Sequence, residues 1–117
     1  MVEITKASRE FTKVETYLMT VAPGITSLKD VPDGTSIDVS GTLEFNDVKD
    51  TTGEIAEIIS IITPDNKVYS AQSKTVKRSI HDIENIMDGE QFSIIKTSGQ
   101  TKAGRTFINI ELDTTKL

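Results

Sequence analysis

Apolar residues change their period along this chain. Between Ser8 and Val21, Phe11, Val14, Leu18 and Val21 recur at spacings of three and four, the repeat of an amphipathic helix. Ser8 stands where an N-cap is expected, and Pro23 and Gly24 where the helix must stop. The stretch APGITSLKDVPDGTS, from Ala22 to Ser36, is rich in turn residues and reads as a linker. From Ile37 the period becomes two. Ile37, Val39, Gly41, Leu43 and Phe45 fall on one side of a strand, with Asp38, Ser40, Thr42 and Glu44 on the other. Gly41 in mid-strand predicts a bulge or a sharp bend. EIAEIISIIT, from Glu54 to Thr63, is a second strand, PDNK a tight turn, and KVYSA a short third strand. The next stretch, SKTVKRSIHDIENIMDG, becomes helical in its second half. There Ser79 is the expected N-cap with Asp82 three residues on, Ile80, Ile83 and Ile86 or Met87 form the stripe, and Gly89 is the stop. QFSIIKT and RTFINIEL are the last two strands.

The predicted order is a helix followed by β-β-β-α-β-β. Five strands with a helix between the third and fourth is the order of the oligonucleotide/oligosaccharide-binding barrel, the OB-fold. The expected fold is therefore mainly β: a five-stranded OB-fold barrel with one helix between strands 3 and 4, preceded by an N-terminal amphipathic helix. Residues 1–34 would be that helix and its linker, and residues 35–117 the barrel, in one compact domain.

A chain of 117 residues suits one core and is too short for two. The absence of cysteine removes disulfides and thiolate metal sites. The N-terminus lacks an apolar signal segment, and the longest apolar run, Ile58 to Ile62, is far short of the roughly 18 residues of a membrane span. A cytoplasmic location, with no membrane partner, is expected. The formal charge is -5, which taken alone argues against a nucleic-acid partner. Its distribution changes that picture. Residues 1–65 carry 5 Lys/Arg against 12 Asp/Glu, a balance of -7, whereas residues 66–108 carry 7 against 4, a balance of +3. For binding a polyanion the local patch matters more than the total.

The hairpin stretch TSGQTKAGRTFINIEL nearly matches a phosphate loop: Gly99, four residues, then Gly104, Arg105 and Thr106. A phosphate loop must open a helix, whose N–H groups hold the phosphates. Here an alternating strand follows, so nucleotide hydrolysis is excluded. No other catalytic or metal-binding constellation stands out. His81 is the single histidine and reads as a surface residue of the helix, the acids are scattered without metal-ligand spacing, and no G-x-S-x-G elbow occurs. No enzyme activity, metal or cofactor is expected.

The hairpin instead reads as the loop between the last two barrel strands, which helps line the ligand groove of an OB-fold. Gly99 and Gly104 would let it bend, and Lys102 and Arg105 would meet phosphates. Phe107 alternates with Ile108 and Ile110 and so shares a polar face with Arg105 and Asn109. Tyr69 shares a face with Lys67, opposite Val68. An aromatic beside a cation on a polar strand face suits base stacking with phosphate pairing. Lys74, Lys77 and Arg78 add cations just after the third strand. The alternative for Tyr69 and Phe107 is a small second core beneath the N-terminal helix.

IITPDNKVYSAQSKTVKRSIHDI followed by TSGQTKAGRTFINIEL resembles phage-encoded single-stranded DNA-binding proteins with an OB-fold. The resemblance lies in the D-x-K-V-Y turn and strand, the S-x-T-x-x-R-S-x-x-D-I segment and the K-A-G-R-x-F hairpin. It covers roughly residues 35–112 and leaves out the N-terminal helix. It implies sequence-independent binding of single-stranded DNA in phage replication or recombination, without a cofactor and alongside phage or host replication proteins. The bacterial relatives end in an acidic, partner-recruiting tail. This sequence ends LDTTKL, so recruitment of host repair proteins by that route is not expected. A different reading is a structural or interaction module of a phage assembly, with the N-terminal helix making a homo-oligomer contact.

Overall fold

The computed structural model describes residues 1–116; the expected barrel runs to residue 117, and Leu117 lies outside the described residues. The strands are β1 (Val2–Ala7), β2 (Thr26–Ser27), β3 (Ser36–Val39), β4 (Gly41–Val48), β5 (Ile55–Ile62), β6 (Val68–Ala71), β7 (Phe92–Gln100) and β8 (Thr106–Leu112). The α-helices are α1 (Lys13–Thr20) and α2 (Lys74–Met87). Among the described residues, no helix is long and apolar enough to cross a membrane.

The strands form two sheets, one in the order β1-β4-β5-β6-β2 and one in the order β3-β7-β8. The predicted first strand is present as β3 and β4, and the chain changes sheets between them at Ser40 and Gly41. Gly41 is where the Phe11 ring lies on the backbone: a Cβ there would sit 2.7 Å from the ring. The Arg9 guanidinium lies over that ring, 4.3 Å from its centroid, and its Nε would stand 3.1 Å from the same Cβ. Arg9 Nε donates to the Ser40 carbonyl at 2.9 Å, and its Nη2 pairs with Glu15 at 2.9 Å.

The main core lies between the two sheets and α2. Ile59, Ile61 and Ala71 of one sheet meet Ile37, Val39, Ile94 and Ile110 of the other and Val76, Ile80 and Ile83 of α2. A second cluster occupies the opposite face of the larger sheet, where Leu43, Phe45, Ile62 and Val68 pack under Met19 of α1. The continuous apolar run of β5 follows from this arrangement. Alternate residues serve the two clusters, so neither face is wet.

Four expectations are corrected. The mainly β class holds, but β1 and β2 add two strands that no alternation announced. The two sheets do not close into a barrel. β2 runs parallel to β6 and takes its free edge, with Thr26 opposite Tyr69, and among the described residues no pairing joins β6 to β8. The first helix begins later than predicted. Thr12, not Ser8, is its N-cap, in a capping box with Glu15; Ser8 instead accepts from the Thr42 N–H at 2.8 Å. Its buried face is also different: Met19 is buried, while Val14 and Val21 are exposed. The buried Ser60 hydroxyl donates to the Met19 carbonyl at 2.6 Å and fixes that side inward. Finally, α2 starts a turn and more before Ser79, because Ser73 accepts from the Val76 N–H at 3.2 Å and caps it. Its stripe is Val76, Ile80 and Ile83 with Met87 half-buried; Ile86 is exposed.

Candidate nucleic-acid interface

Strands β7 and β8 pair from Ile94–Leu112 out to Gln100–Thr106. The turn beyond them is held by Thr101 N–H to the Arg105 carbonyl and Gly104 N–H to the Thr101 carbonyl, both at 2.9 Å. Gly104 sits there at φ +81°, a value glycine accepts without strain. Gly99 has a different place from the one expected. It lies inside β7, opposite Phe107, and a Cβ on it would stand 2.5 Å from Phe107 Cζ. The phenyl ring therefore rests on bare backbone. It is 38% exposed, with its outer face open.

Directly paired residues share a face, so Phe107 and Gly99 lie with the pairs Thr97–Asn109 and Ile95–Glu111. This is the side away from buried Ile94 and Ile110. The face is graded in charge. At the tip stand exposed Lys102 and Arg105. At the base stand Asp38, Glu111 and Asp113, near Ser93. Two of these carboxylates, Asp38 and Asp113, are held in the ionised form. The Ser93 hydroxyl, then Lys116, holds Asp38 below the usual carboxylate range, and Ser36, then Thr115, does so for Asp113. A polyanion on this face is thus favoured at the tip and repelled at the base.

Helix α2 carries the next cations. Lys74, Lys77 and Arg78 lie in its first turns rather than in a preceding loop, and no acid shares the first turn. Cations at a helix N-terminus oppose the macrodipole, so this end is strongly positive. Ser79 Oγ donates to Asn109 Oδ1 at 2.7 Å, which fastens the helix beside the strand bearing Phe107. On its other flank, His81 Nε2 lies 2.6 Å from Glu44 and the Thr42 hydroxyl donates to Glu84 at 2.5 Å, both reaching β4. His81 is therefore half-buried and engaged with β4. Among the described residues, no carboxylate lies within 4.0 Å of the cationic groups of Lys74, Lys77, Arg78, Lys102 or Arg105.

Lys67 and Tyr69 are placed apart from these. Lys67 is in the β5–β6 turn, 3.9 Å from Asp65. Tyr69 is half-buried against the main core, because β6 turns that face inward toward Ile59 and Ile61. The polar face expected for it is not there. Lys67 and Tyr69 line a shallow depression with Leu18, Pro23, Ile25 and Thr26, and with none of the hairpin or α2 cations. A second core does lie beneath the N-terminal helix, but Tyr69 and Phe107 do not belong to it, whereas the alternative reading required that they did.

Two residues escaped the sequence reading. Gly99 as the floor for Phe107 was legible in principle from the hairpin register. Lys96 was not: it lies on the core face of β7, 4% exposed, and its Nζ reaches Asp33 at 2.7 Å. That pair ties the segment before β3 to β7. Lys96 and Ser98 together hold the Asp33 carboxyl below its usual range.

A family model described as phage single-stranded DNA-binding protein matches residues 3–113. The chain belongs to that family. Its match begins in β1, so the N-terminal strand and helix are part of the shared region, which the resemblance drawn from residues 35–112 had left out. The chain is 31% identical over 91 residues to the single-stranded DNA-binding proteins of Bacillus phage PZA and Bacillus phage phi29. The overlap is 74% of this chain and 73% of each relative. No solved structure matches.

Proposed function

We propose that this member of the phage single-stranded DNA-binding family binds single strands without sequence preference, to protect them in phage replication or recombination. It acts by binding and not by chemistry on the DNA. The observation that carries the reading is Phe107, an open ring seated on Gly99 beside the unpaired Arg105 and Lys102. Every base has a π-face, so such a ring accepts any base, at about 1–3 kcal/mol per stack. Lys102, Arg105, Lys74, Lys77 and Arg78 neutralise phosphates around it. Lys67 and Tyr69 lie in a separate depression and would meet only a longer strand. Phage or host replication proteins would be its working partners.

The arrangement supports an OB-type origin. One strand run passes from the first sheet to the second at Ser40 and Gly41, and α2 stands between the third and fourth of the five original strands. β1, α1 and β2 would then be an addition that covers one face of the larger sheet and leaves the barrel open. The test is a fluorescence-anisotropy titration with oligo-dT across a range of salt. Each phosphate contact on a single strand contributes roughly -0.7 to the slope of log K against log salt, so three to five contacts give about -2 to -3.5. A flat response, or no binding at low salt, overturns the reading.

A further inference from the structure

Asn109 lies on the same face of β8 as Phe107, two residues along and so about 6.6 Å away at the rise of a strand. β8 is the edge strand of its sheet, and the Asn109 side chain reaches toward α2. Its Oδ1 is taken twice: the Ser79 hydroxyl donates to it at 2.7 Å and the Ile110 N–H at 2.8 Å. A backbone N–H can only donate, so the oxygen and nitrogen of this side chain are not interchangeable. The nitrogen, Nδ2, is thereby fixed on the other side as a donor with two hydrogens. Among the described residues no protein acceptor takes either hydrogen, and no buried side-chain nitrogen or oxygen lacks a partner. Nδ2 of half-buried Asn109 therefore opens to the surface.

This donor differs from an ordinary surface amide in being held. Two hydrogen bonds already fix the group that carries it, so an acceptor binding there orders little that was loose. Its place is also distinctive. Ser79 directly follows Lys77 and Arg78 in α2, so Asn109 stands between the exposed Phe107 ring and the unpaired cations of the helix. A strand that stacks on the ring and pairs with those cations passes its backbone across Asn109. Phosphate oxygens accept and do not donate, which suits a group that offers only donors; a base edge presents donors and acceptors together. The next residue on the same face is exposed Glu111, which repels phosphate. Asn109 is thus the last donor of β8 before the acidic base.

The geometry points to Asn109 as a neutral phosphate contact: Nδ2 donates to a phosphate oxygen between the nucleotide on Phe107 and those held by α2. The inference rests on the function proposed above and adds a contact that the distribution of charge does not reveal. A neutral donor releases no counterion, so it strengthens binding without steepening the salt dependence.

The test titrates three variants with oligo-dT and oligo-dA across a range of salt, with a thermal melt of each. Asn109→Ala should weaken binding to both oligomers by about tenfold, the effect of one hydrogen bond to a charged acceptor, and leave the salt slope as it was. Asn109→Asp can still accept from Ser79 and Ile110, so it keeps the fold. It offers no donor there and should bind at least as weakly as the alanine variant. Ser79→Ala removes the same link to α2 but keeps the donor, and should bind nearly as the unaltered chain does. Equal losses in Asn109→Ala and Ser79→Ala, or a slope flattened by about 0.7 in Asn109→Ala, would make the side chain a strut for the α2 cations. A loss confined to one oligomer would make it a reader of bases. Normal binding by Asn109→Ala or Asn109→Asp would remove it from the path. Each of these overturns the inference and leaves the proposed function standing, whereas failure of the unaltered chain to bind oligo-dT would sink both.

Discussion

Substituting Gly99 with alanine tests the stacking platform without touching the ring itself. Carbon atoms in contact stand about 3.5–4.0 Å apart, and the new Cβ would lie 2.5 Å from Phe107 Cζ. One of the two must give way. Gly99 is not among the positive-φ glycines, so alanine fits the strand backbone, and the crowded atom is the outer end of a half-exposed ring. The ring therefore swings off β7 while the hairpin persists. Stability should move by no more than about 1 kcal/mol, since a cross-strand pair contributes about 0.2–1 kcal/mol and replacing glycine recovers about 0.4–1 kcal/mol through the unfolded state. Affinity should fall much further. Losing one stacked base costs about 1–3 kcal/mol, or about 5- to 150-fold in Kd. Phe107→Ala should give the same loss, again with a small change in Tm, because a ring 38% exposed leaves no closed cavity. The decisive measurement is the double variant, titrated with oligo-dT beside both single variants. If Gly99 acts only by seating the ring, Gly99→Ala adds nothing once Phe107 is alanine. Normal binding by a folded Gly99→Ala chain, or additive losses in the double variant, would refute the reasoning.

Replacing Lys102 and Arg105 together by alanine should weaken oligo-dT binding and flatten the salt slope by about 1.4, two contacts at roughly 0.7 each. Both are exposed, so thermal melting should shift by less than the equivalent of about 0.5 kcal/mol. Lys96→Met should leave Tm unchanged or raise it, whereas Asp33→Ala should lower it, because only the second change strands a buried ammonium; equal losses in the two melts would contradict this. Arg9, helped by the Thr12 N–H, holds the Glu15 carboxyl down to about 2 from its usual 4.5. Its contribution to stability is complete above pH about 4.5 and disappears as pH falls toward about 2. Chemical denaturation across that window should show a shallower decline for Glu15→Gln than for the unaltered chain.

The elements with clean alternation were legible in the sequence, and the places of failure have physical causes. Strands β3 to β8 announced themselves by period two or by an apolar run between turns, and the break at Gly41 was expected from glycine in mid-strand. β1 was missed because it is an edge strand with Val2 half-buried and the rest exposed, so no buried face imposes a pattern. β2 is two residues long. In α1 the apolar repeat was read as a buried stripe, but the capping box and the Ser60–Met19 hydrogen bond set the rotation of the helix. At the candidate site, alternation placed Phe107 on the open face and failed for Tyr69. β6 lies between β5 and β2 with apolar clusters on both sides, and on such a strand alternation distinguishes two cores, not core from solvent.

An acidic protein can hold a polyanion when its cations are unequally occupied. Among the described residues, five Lys or Arg side chains lie within 4.0 Å of a carboxylate: Arg9, Lys49, Lys67, Lys96 and Lys116. Those of the hairpin and of the first turns of α2 do not, and neither do Lys6, Lys13 and Lys29, which are scattered over the acidic half. Asp47 of β4 and Asp50 of the β4–β5 connection face the N-terminal ammonium at 3.8 and 3.9 Å, and Glu54 faces Lys49 at 3.7 Å. Charges are felt over about 10 Å at ordinary salt, and the molecule extends 42 × 38 × 25 Å. Most of its surface charges therefore do not sense one another, and the total of -5 says little about any one face. What the acids near the base of the hairpin do control is direction. On the proposed reading, Asp38, Glu111 and Asp113 disfavour the lower half of the β7–β8 face, and a strand stacked on Phe107 would leave across the tip or toward the cations of α2. Such a restriction would be local and electrostatic, and it would need no base-specific contact to hold a strand of any sequence in one path.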